Sequence, residues 1–290
     1  MPETLTLAHS PDPDDAYMYY GFHTGDVQIP GYKIQQHIEE IQRLNERAFR
    51  GEFEITAVSS YAFACVSDKY WLLSSGASVG RNYGPMLVGK SARPKAQGRL
   101  IEPGPANLPL RIAVPGKWTT ATLVFYLWLS KKPMGDVEII FVPFDQIIDQ
   151  VKSGKVDLGL LIHEGQLTYA YSGLEKVWDA GEWWHQETGL PLPLGLDIVR
   201  KDLGRPLAQK ISQAMRDSIQ FANAHREKAI AYALQFGRGL DNALADRFVG
   251  MYVNEDTLKQ GKDVLKGLRT LYERAFAEKL IPGIPDLTMV

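Results

Sequence analysis

One of the six histidines, His163, closes the apolar run Val156-Asp157-Leu158-Gly159-Leu160-Leu161-Ile162 and is followed by Glu164-Gly165-Gln166-Leu167-Thr168-Tyr169. An imidazole at the end of a buried strand is placed to face a cleft. It accepts a proton near neutral pH without extreme tuning, so His163 reads as a general base, with a satisfied structural histidine as the alternative. Near the N-terminus, Ser10-Pro11-Asp12-Pro13-Asp14-Asp15 packs two prolines and three carboxylates into one turn before a helical pattern. That turn is either rigid punctuation with Asp14 or Asp15 as a helix cap, or a strand-end loop that presents Ser10 and the first helix amides to a ligand. The aspartates lack the spacing and glycine of a calcium loop, and neither His9 nor His185 stands at a metal-ligand spacing, so no metal is expected.

Two further segments place hydroxyls at helix starts. Ser59-Ser60 follows an apolar strand and precedes Tyr61-Ala62-Phe63, where a cap and a ligand contact use the same exposed helix start. In Val114-Pro115-Gly116-Lys117-Trp118-Thr119-Thr120-Ala121 a strand ends in Pro-Gly, and Thr119 and Thr120 open a strongly apolar helix. They can cap it, and its unpaired amides can face an anion such as a carboxylate. The Gly-rich stretch at 76–85 is neither a Walker loop nor a dinucleotide fingerprint; its glycines permit tight turns, with Arg81 or Tyr83 available to a ligand.

Positioning these groups requires alternating strands and helices. Periodicity predicts strands over 5–8, 32–37, 53–58, 70–73 and 86–88, with helices over 16–22 and 41–49 between them. After a Pro/Gly-rich, aperiodic connection at 91–109, the alternation resumes: strand 111–114, helix 119–130, strand 137–142, helix 144–152, strand 156–162. The segment 178–187 is aromatic and acidic, 196–200 reads as a strand after Pro-Leu-Pro-Leu-Gly, and the pattern from 207 onward is helical, including 242–252 and 255–278. This describes a mostly parallel α/β protein. Two chain crossings, near 86–90 and 194–201, would divide it into a larger discontinuous lobe of 1–90 with 200–290 and a smaller one of 91–199, with a ligand cleft between them.

Composition narrows the class. The chain has 290 residues, 45% hydrophobic and 23% charged, enough to bury a core without staples. Lys and Arg number 32 against 34 Asp and Glu, for a formal charge of −2, and no basic stripe follows a phosphate backbone, so no nucleic-acid partner is expected. The longest strongly apolar stretch, at 121–129, is half of the roughly 20 residues that cross a bilayer, so no membrane span is expected. Cys65 sits in Ala-Phe-Ala-Cys-Val and reads as a packed thiol. A single cysteine, and an opening that leads into a strand without a basic and apolar leader, place the protein in the cytoplasm by expectation.

Taken together and in this order, SPDPDDAYMYYG, PGKWTTA, IHEGQLTY and LPLPLG resemble the menaquinone-biosynthesis family, which shares its fold with type II periplasmic binding proteins. The resemblance runs from about residue 8 to 200, and HEGQLTY is its most specific piece. It implies a two-lobed α/β fold with a ligand cleft between lobes. It also implies a catalytic base at His163 and substrate-facing turns at Ser10, Ser59, Ser60, Thr119 and Thr120. The implied reaction is a carbon–carbon lyase step taking cyclic dehypoxanthine futalosine to 1,4-dihydroxy-6-naphthoate and dihydroxyacetone, on a small-molecule carboxylate and without a metal or organic cofactor. The alternatives are a non-catalytic small-anion solute-binding protein and the family's sister activity, a chorismate dehydratase. This chain departs from the family in two places. The usual first turn, Ser-Pro-Cys-Pro-Asn-Asp, has Asp12 and Asp14 in place of Cys and Asn, which adds negative charge near an anionic substrate; the connection at 91–109 looks like an insertion.

Overall fold

The structure is a computed structural model that describes residues 3–90, 109–132, 135–237 and 240–290. The connection expected to be an insertion falls almost wholly outside these residues.

β1 (Glu3–His9) buries Leu5 and Leu7 by alternation and stops at Ser10-Pro11. The aromatic helix expected at 16–22 is two short helices, α1 (Pro13–Met18) and α2 (Tyr20–Thr24), which meet at Tyr19. β2 (Tyr32–Ile38) leads into α3 (Ile41–Phe49), capped by the Glu40 carboxylate, which accepts from the Gln42 and Arg43 amides. β3 (Ile55–Ser59) is buried along its whole length and runs into α4 (Ser60–Val66); β4 (Tyr70–Leu72) and β5 (Ser78–Gly80) follow. The chain then crosses to a second sheet through β6 (Met86–Lys90).

There the elements are β7 (Leu110–Val114), α5 (Thr120–Lys131), β8 (Val137–Phe141), α6 (Ile147–Ser153), β9 (Leu158–Leu161) and α7 (Gly165–Thr168). α5 is apolar around most of its circumference and is correspondingly buried from Thr120 through Phe125 and at Leu127 and Trp128. The aromatic, acidic segment contains β10 (Leu174–Asp179) and α8 (Ala180–Thr188). The helix starts where it does because the Asp179 carboxylate accepts from the Gly181 and Glu182 amides at 2.8 and 3.0 Å. β11 (Leu192–Arg200) returns to the first sheet.

The helical tail comprises α9 (Arg205–Ala224), α10 (Arg226–Ala233), α11 (Asn242–Tyr252), α12 (Glu255–Leu258) and α13 (Lys262–Ala277). The single helix expected over 255–278 is broken at Gly261. A reciprocal cap at Asn254 and Thr257 makes α12 a separate turn, and the Gln260 amide side chain donates to the Leu73 carbonyl at 2.9 Å instead of following a helix face.

The first sheet has the order β2-β1-β3-β11-β4, with β5 also paired to β11; the second has the order β10-β6-β9-β7-β8. β1, β2 and β3 are mutually parallel in the first sheet, as β8, β7 and β9 are in the second, while β11 and β6 run antiparallel to their neighbours. Residues 86–90 and 194–201, expected as crossings, thus lie in or beside strands of one sheet each. The passages between sheets are the residues ahead of β6 and those between β10 and β11. Pro193 is accommodated in β11 because the pairing with β5 shifts register between Pro193 and Gly195. Of the tail, α9 packs on α1, α2 and β11, and α13 on β11 and α5. Among the described residues no helix is long and apolar enough to cross a membrane.

Candidate active site

Four parallel strands, β1 and β3 from one sheet and β7 and β9 from the other, point their C-terminal ends at a common cleft of about 680 Å³ including its mouth. Strand ends of this kind collect ligands because the chain leaves each strand in a loop and returns through a helix whose first amides lack intrahelical partners. Ser10, Ser59, Thr119, Thr120 and His163 all line it, although 153 residues separate the first from the last.

At the first strand end, Pro13 opens α1 with its fixed backbone angle, Ser10 N–H donates to Asp15 Oδ2 at 2.9 Å, and Asp12 N–H donates to Ser10 Oγ at 3.2 Å. Asp12, rather than Asp14 or Asp15, occupies the cap position, but its side chain makes no cap hydrogen bond. Asp14 and Asp15 line the cleft with Asp197 of β11, a buried carboxyl that accepts from the Tyr19 hydroxyl at 2.5 Å. Burial and mutual repulsion hold these acids protonated more readily than usual. Asp14 is pushed up to about 7 by burial and by Asp15, Asp15 to about 6 by burial, and Asp197 upward by burial and Asp15. His9 belongs to the support: its ring stacks on Tyr19 at 4.5 Å, and burial lowers it to about 4, which keeps it neutral.

The opposite wall is made of two helix starts. Ser59 N–H donates to Asn45 Oδ1 at 2.9 Å, while Asn45 Nδ2 donates to Ser59 Oγ at 3.1 Å and to the Trp118 carbonyl at 3.3 Å. One buried asparagine on α3 thus pins turns from both sheets. Thr119 caps α5 by accepting from Thr122 N–H, and its hydroxyl proton faces Gly116 O and Thr122 Oγ1. Thr120 donates to the Leu194 carbonyl at 2.6 Å and accepts from the Tyr61 amide at 3.3 Å. With these hydroxyls spent on the protein, the α5 amides are the donors that this wall offers an anion. Ser60 is buried beneath the lining, where it donates to the Pro193 carbonyl at 3.0 Å.

His163 follows β9 in the left-handed region, φ 51°, with its ring edge-on to Phe144 at 4.8 Å. Its Nε2 lies 3.1 Å from Asp12 Oδ2. Beside it Gln166 is hydrogen-bonded to the Tyr252 hydroxyl at 2.8 Å. The remaining walls include the apolar side chains of Ile41, Val58, Ile162, Leu196 and Phe248.

Arg81 does not line the cleft. Its guanidinium grips Asp256 through two bonds of 2.7 Å and lies 2.9 Å from Asp263, which ties the residues after β5 to the helical tail. Tyr83 donates to the Met251 carbonyl on the same tail. Cys65 is partly buried and its thiol is pushed upward by burial, as a packed thiol should be. Asn45, Asp197, Gln166 and Tyr252 are the site residues that sequence reading misses. A polar residue on the core-facing stripe of α3 is a signal for Asn45; Asp197, flanked by Leu196 and Ile198, is a second.

Two sheets crossed twice by the chain, with a cleft at their strand ends, define the type II periplasmic-binding-protein fold. The alkanesulfonate-binding protein SsuA of Xanthomonas axonopodis pv. citri, bound to MOPS, superposes with a TM-score of 0.71 at 14% identity over 98% of this chain and 96% of its own. The chain belongs to the menaquinone-biosynthesis family, whose model matches residues 5–277. It is 37% identical over 287 residues to a 1,4-dihydroxy-6-naphthoate synthase of Streptomyces coelicolor, covering 98% of this chain and 97% of the relative. To the synthase of the same name from Thermus thermophilus it is 35% identical over 283 residues, covering 98% of each. A crystal structure of an Archaeoglobus fulgidus protein matches with a TM-score of 0.86 at 44% identity, over 96% of this chain and 98% of that one.

Proposed function

We propose that this chain is a carbon–carbon lyase that converts cyclic dehypoxanthine futalosine to 1,4-dihydroxy-6-naphthoate and dihydroxyacetone in menaquinone biosynthesis. The observation that carries the reading is the placement of His163 on the same cleft as the start of α5, with apolar walls between. His163 removes the proton that initiates bond cleavage. The α5 amides behind Thr119 and Thr120 take the substrate carboxylate, and Ser10 and Ser59 hold its oxygens. The apolar walls seat the forming naphthalene, whose aromatisation supplies driving force, so the protein's task is to position a base and to stabilise developing oxyanions out of water.

In this reading the two lobes close over the substrate, the division expected at 1–90 with 200–290 and 91–199 shifting so that β6 goes with the second sheet and β11 with the first, and Arg81 anchors the passage between them. A soluble biosynthetic intermediate as substrate places the enzyme in the cytoplasm. Purified protein with cyclic dehypoxanthine futalosine, followed by chromatography, should release naphthoate and dihydroxyacetone in equal amounts. Binding of the substrate without release would make the protein a solute receptor. Inertness toward it combined with dehydration of chorismate would make it the sister enzyme.

A further inference from the structure

We propose that Gln166 is a positioning residue for His163: its side-chain amide clamps the His163 main chain and so sets the direction in which the imidazole enters the cleft. The proposal rests on His163 acting as the base of the lyase reaction.

His163 needs a clamp because of where its backbone sits. Its φ of 51° lies in the left-handed region, which residues other than glycine visit uncommonly and keep only where their surroundings hold them there. Rotation about φ swings the side chain relative to the His163 N–H, so whatever fixes that N–H also fixes the bearing of the ring. Gln166, three residues on in α7, holds both polar groups of the His163 main chain. Its own N–H donates to the His163 carbonyl at 3.1 Å, and its side-chain Oε1 accepts from the His163 N–H at 3.2 Å.

The other half of the amide is anchored outside this turn. Nε2 donates to the Gly84 carbonyl and to the Tyr252 hydroxyl, each at 2.8 Å. The partners set the orientation: turned over, the amide would press its oxygen on the Gly84 carbonyl and its nitrogen on the His163 N–H. Gly84 belongs to the passage ahead of β6 and is packed tightly on α8, where a Cβ added to it would stand 2.9 Å from the Gly181 amide nitrogen. Tyr252 ends α11, which packs on β5 of the first sheet, and both Tyr252 and Gln166 are buried. One side chain thus ties the His163 turn of the second sheet to the passage between the sheets and to the helical tail. Glutamine suits the place because it is neutral and offers an acceptor and two donors at once, whereas a carboxylate of the same length only accepts.

Gln166→Met keeps the length of the side chain and removes its donors and its oxygen. The variant should lose about 10–10²-fold in kcat with KM little changed, since the ring is misdirected while the α5 start is untouched. In the His163→Asn background the same change should cost less than about twofold further, because a residue that acts only through the base has nothing left to position. Unchanged kcat in Gln166→Met overturns the proposal, and so does an equal loss in both backgrounds, which marks a merely structural role. The contact has a readout of its own in amide hydrogen exchange of the whole protein labelled with 15N-histidine, the His163 signal being assigned by its disappearance in His163→Asn. The His163 N–H should exchange slowly in the wild type and about tenfold faster in Gln166→Met. A wild-type His163 N–H that exchanges as fast as an unfolded peptide overturns the proposal without recourse to any variant, and so does equal protection in the two proteins. Should the wild type fail to turn over the futalosine derivative, the functional reading fails, and the exchange measurement still decides the clamp.

Discussion

Replacing Thr120 by Val keeps the shape of the side chain and removes one oxygen. In the wild type that oxygen donates to the Leu194 carbonyl at 2.6 Å and accepts from the Tyr61 amide at 3.3 Å. Leu194 lies in β11 and Tyr61 in the first turn of α4, both on the first sheet, whereas Thr120 opens α5 over the second; the hydroxyl is therefore a clasp between them. Thr120 is 2% exposed, so water does not replace the lost partner. Tyr61 N–H is one of the first-turn donors without an intrahelical acceptor. A buried group left unsatisfied costs about 1–3 kcal/mol, and with the long bond to Tyr61 taken at the lower end the total is about 2–4 kcal/mol. An unfolding entropy of about 2.1 cal/mol/K per residue over a chain of this length turns that into a fall in Tm of about 3–7 °C. Circular dichroism of the ligand-free protein at one pH measures it, with Thr120→Ser, which retains the oxygen, as the control. A Val variant that melts with the wild type, or a Ser variant that melts as low as the Val variant, would refute the clasp.

His163→Asn should lower kcat by about 10²–10⁴-fold and leave the fold and product affinity intact, because asparagine tolerates the left-handed backbone; normal turnover in a folded variant removes His163 as the base. At Gly76, φ is 90° and an added Cβ would stand 1.8 Å from Asp197 Oδ2, whereas Gly25, φ 80°, has open space around the same position. Both alanine variants carry the backbone penalty of about 1 kcal/mol, so Gly76→Ala should be clearly less stable than Gly25→Ala by urea denaturation; equal losses would show that Asp197 yields freely. Asp14 and Asp15, raised to about 7 and 6 in the folded state, bind protons more tightly there than in the unfolded chain. Their contribution to stability is therefore greatest at low pH and declines as pH rises from the unfolded carboxylate range through 7, while His9, lowered to about 4, opposes it below its unfolded value of 6.5. Tm at pH 6 should exceed Tm at pH 8 at matched ionic strength, and Asp14→Asn should flatten the slope; a higher Tm at pH 8 contradicts this assignment.

The groups that line the cleft are legible where the signal is local. Ser10, Ser59, Thr119 and His163 each stand where an apolar strand pattern stops, and a chain leaving a parallel strand has to turn there, so the sequence alone marks them as strand-end residues. The two crossings are legible only roughly, because β6 and β11 look like any apolar strand and nothing local states which sheet a strand joins. What is not legible is pairing across distance. Arg81 follows a glycine-rich turn and reads as available to a ligand; its partners Asp256 and Asp263 lie in the helical tail, and only the folded chain brings them to it. Asp12 is the sharper case. In sequence it is one more negative charge near the site of an anionic substrate, an apparent liability. In the structure its carboxyl is buried outside the cleft lining, 3.1 Å from the His163 ring, and burial with Glu164 and Asp14 pushes it well above the usual carboxylate range, so the charge that the sequence shows is largely suppressed. An acid is readable from sequence, but whether it is charged is set by tertiary packing, and that decides whether an acid near an anion site repels the ligand.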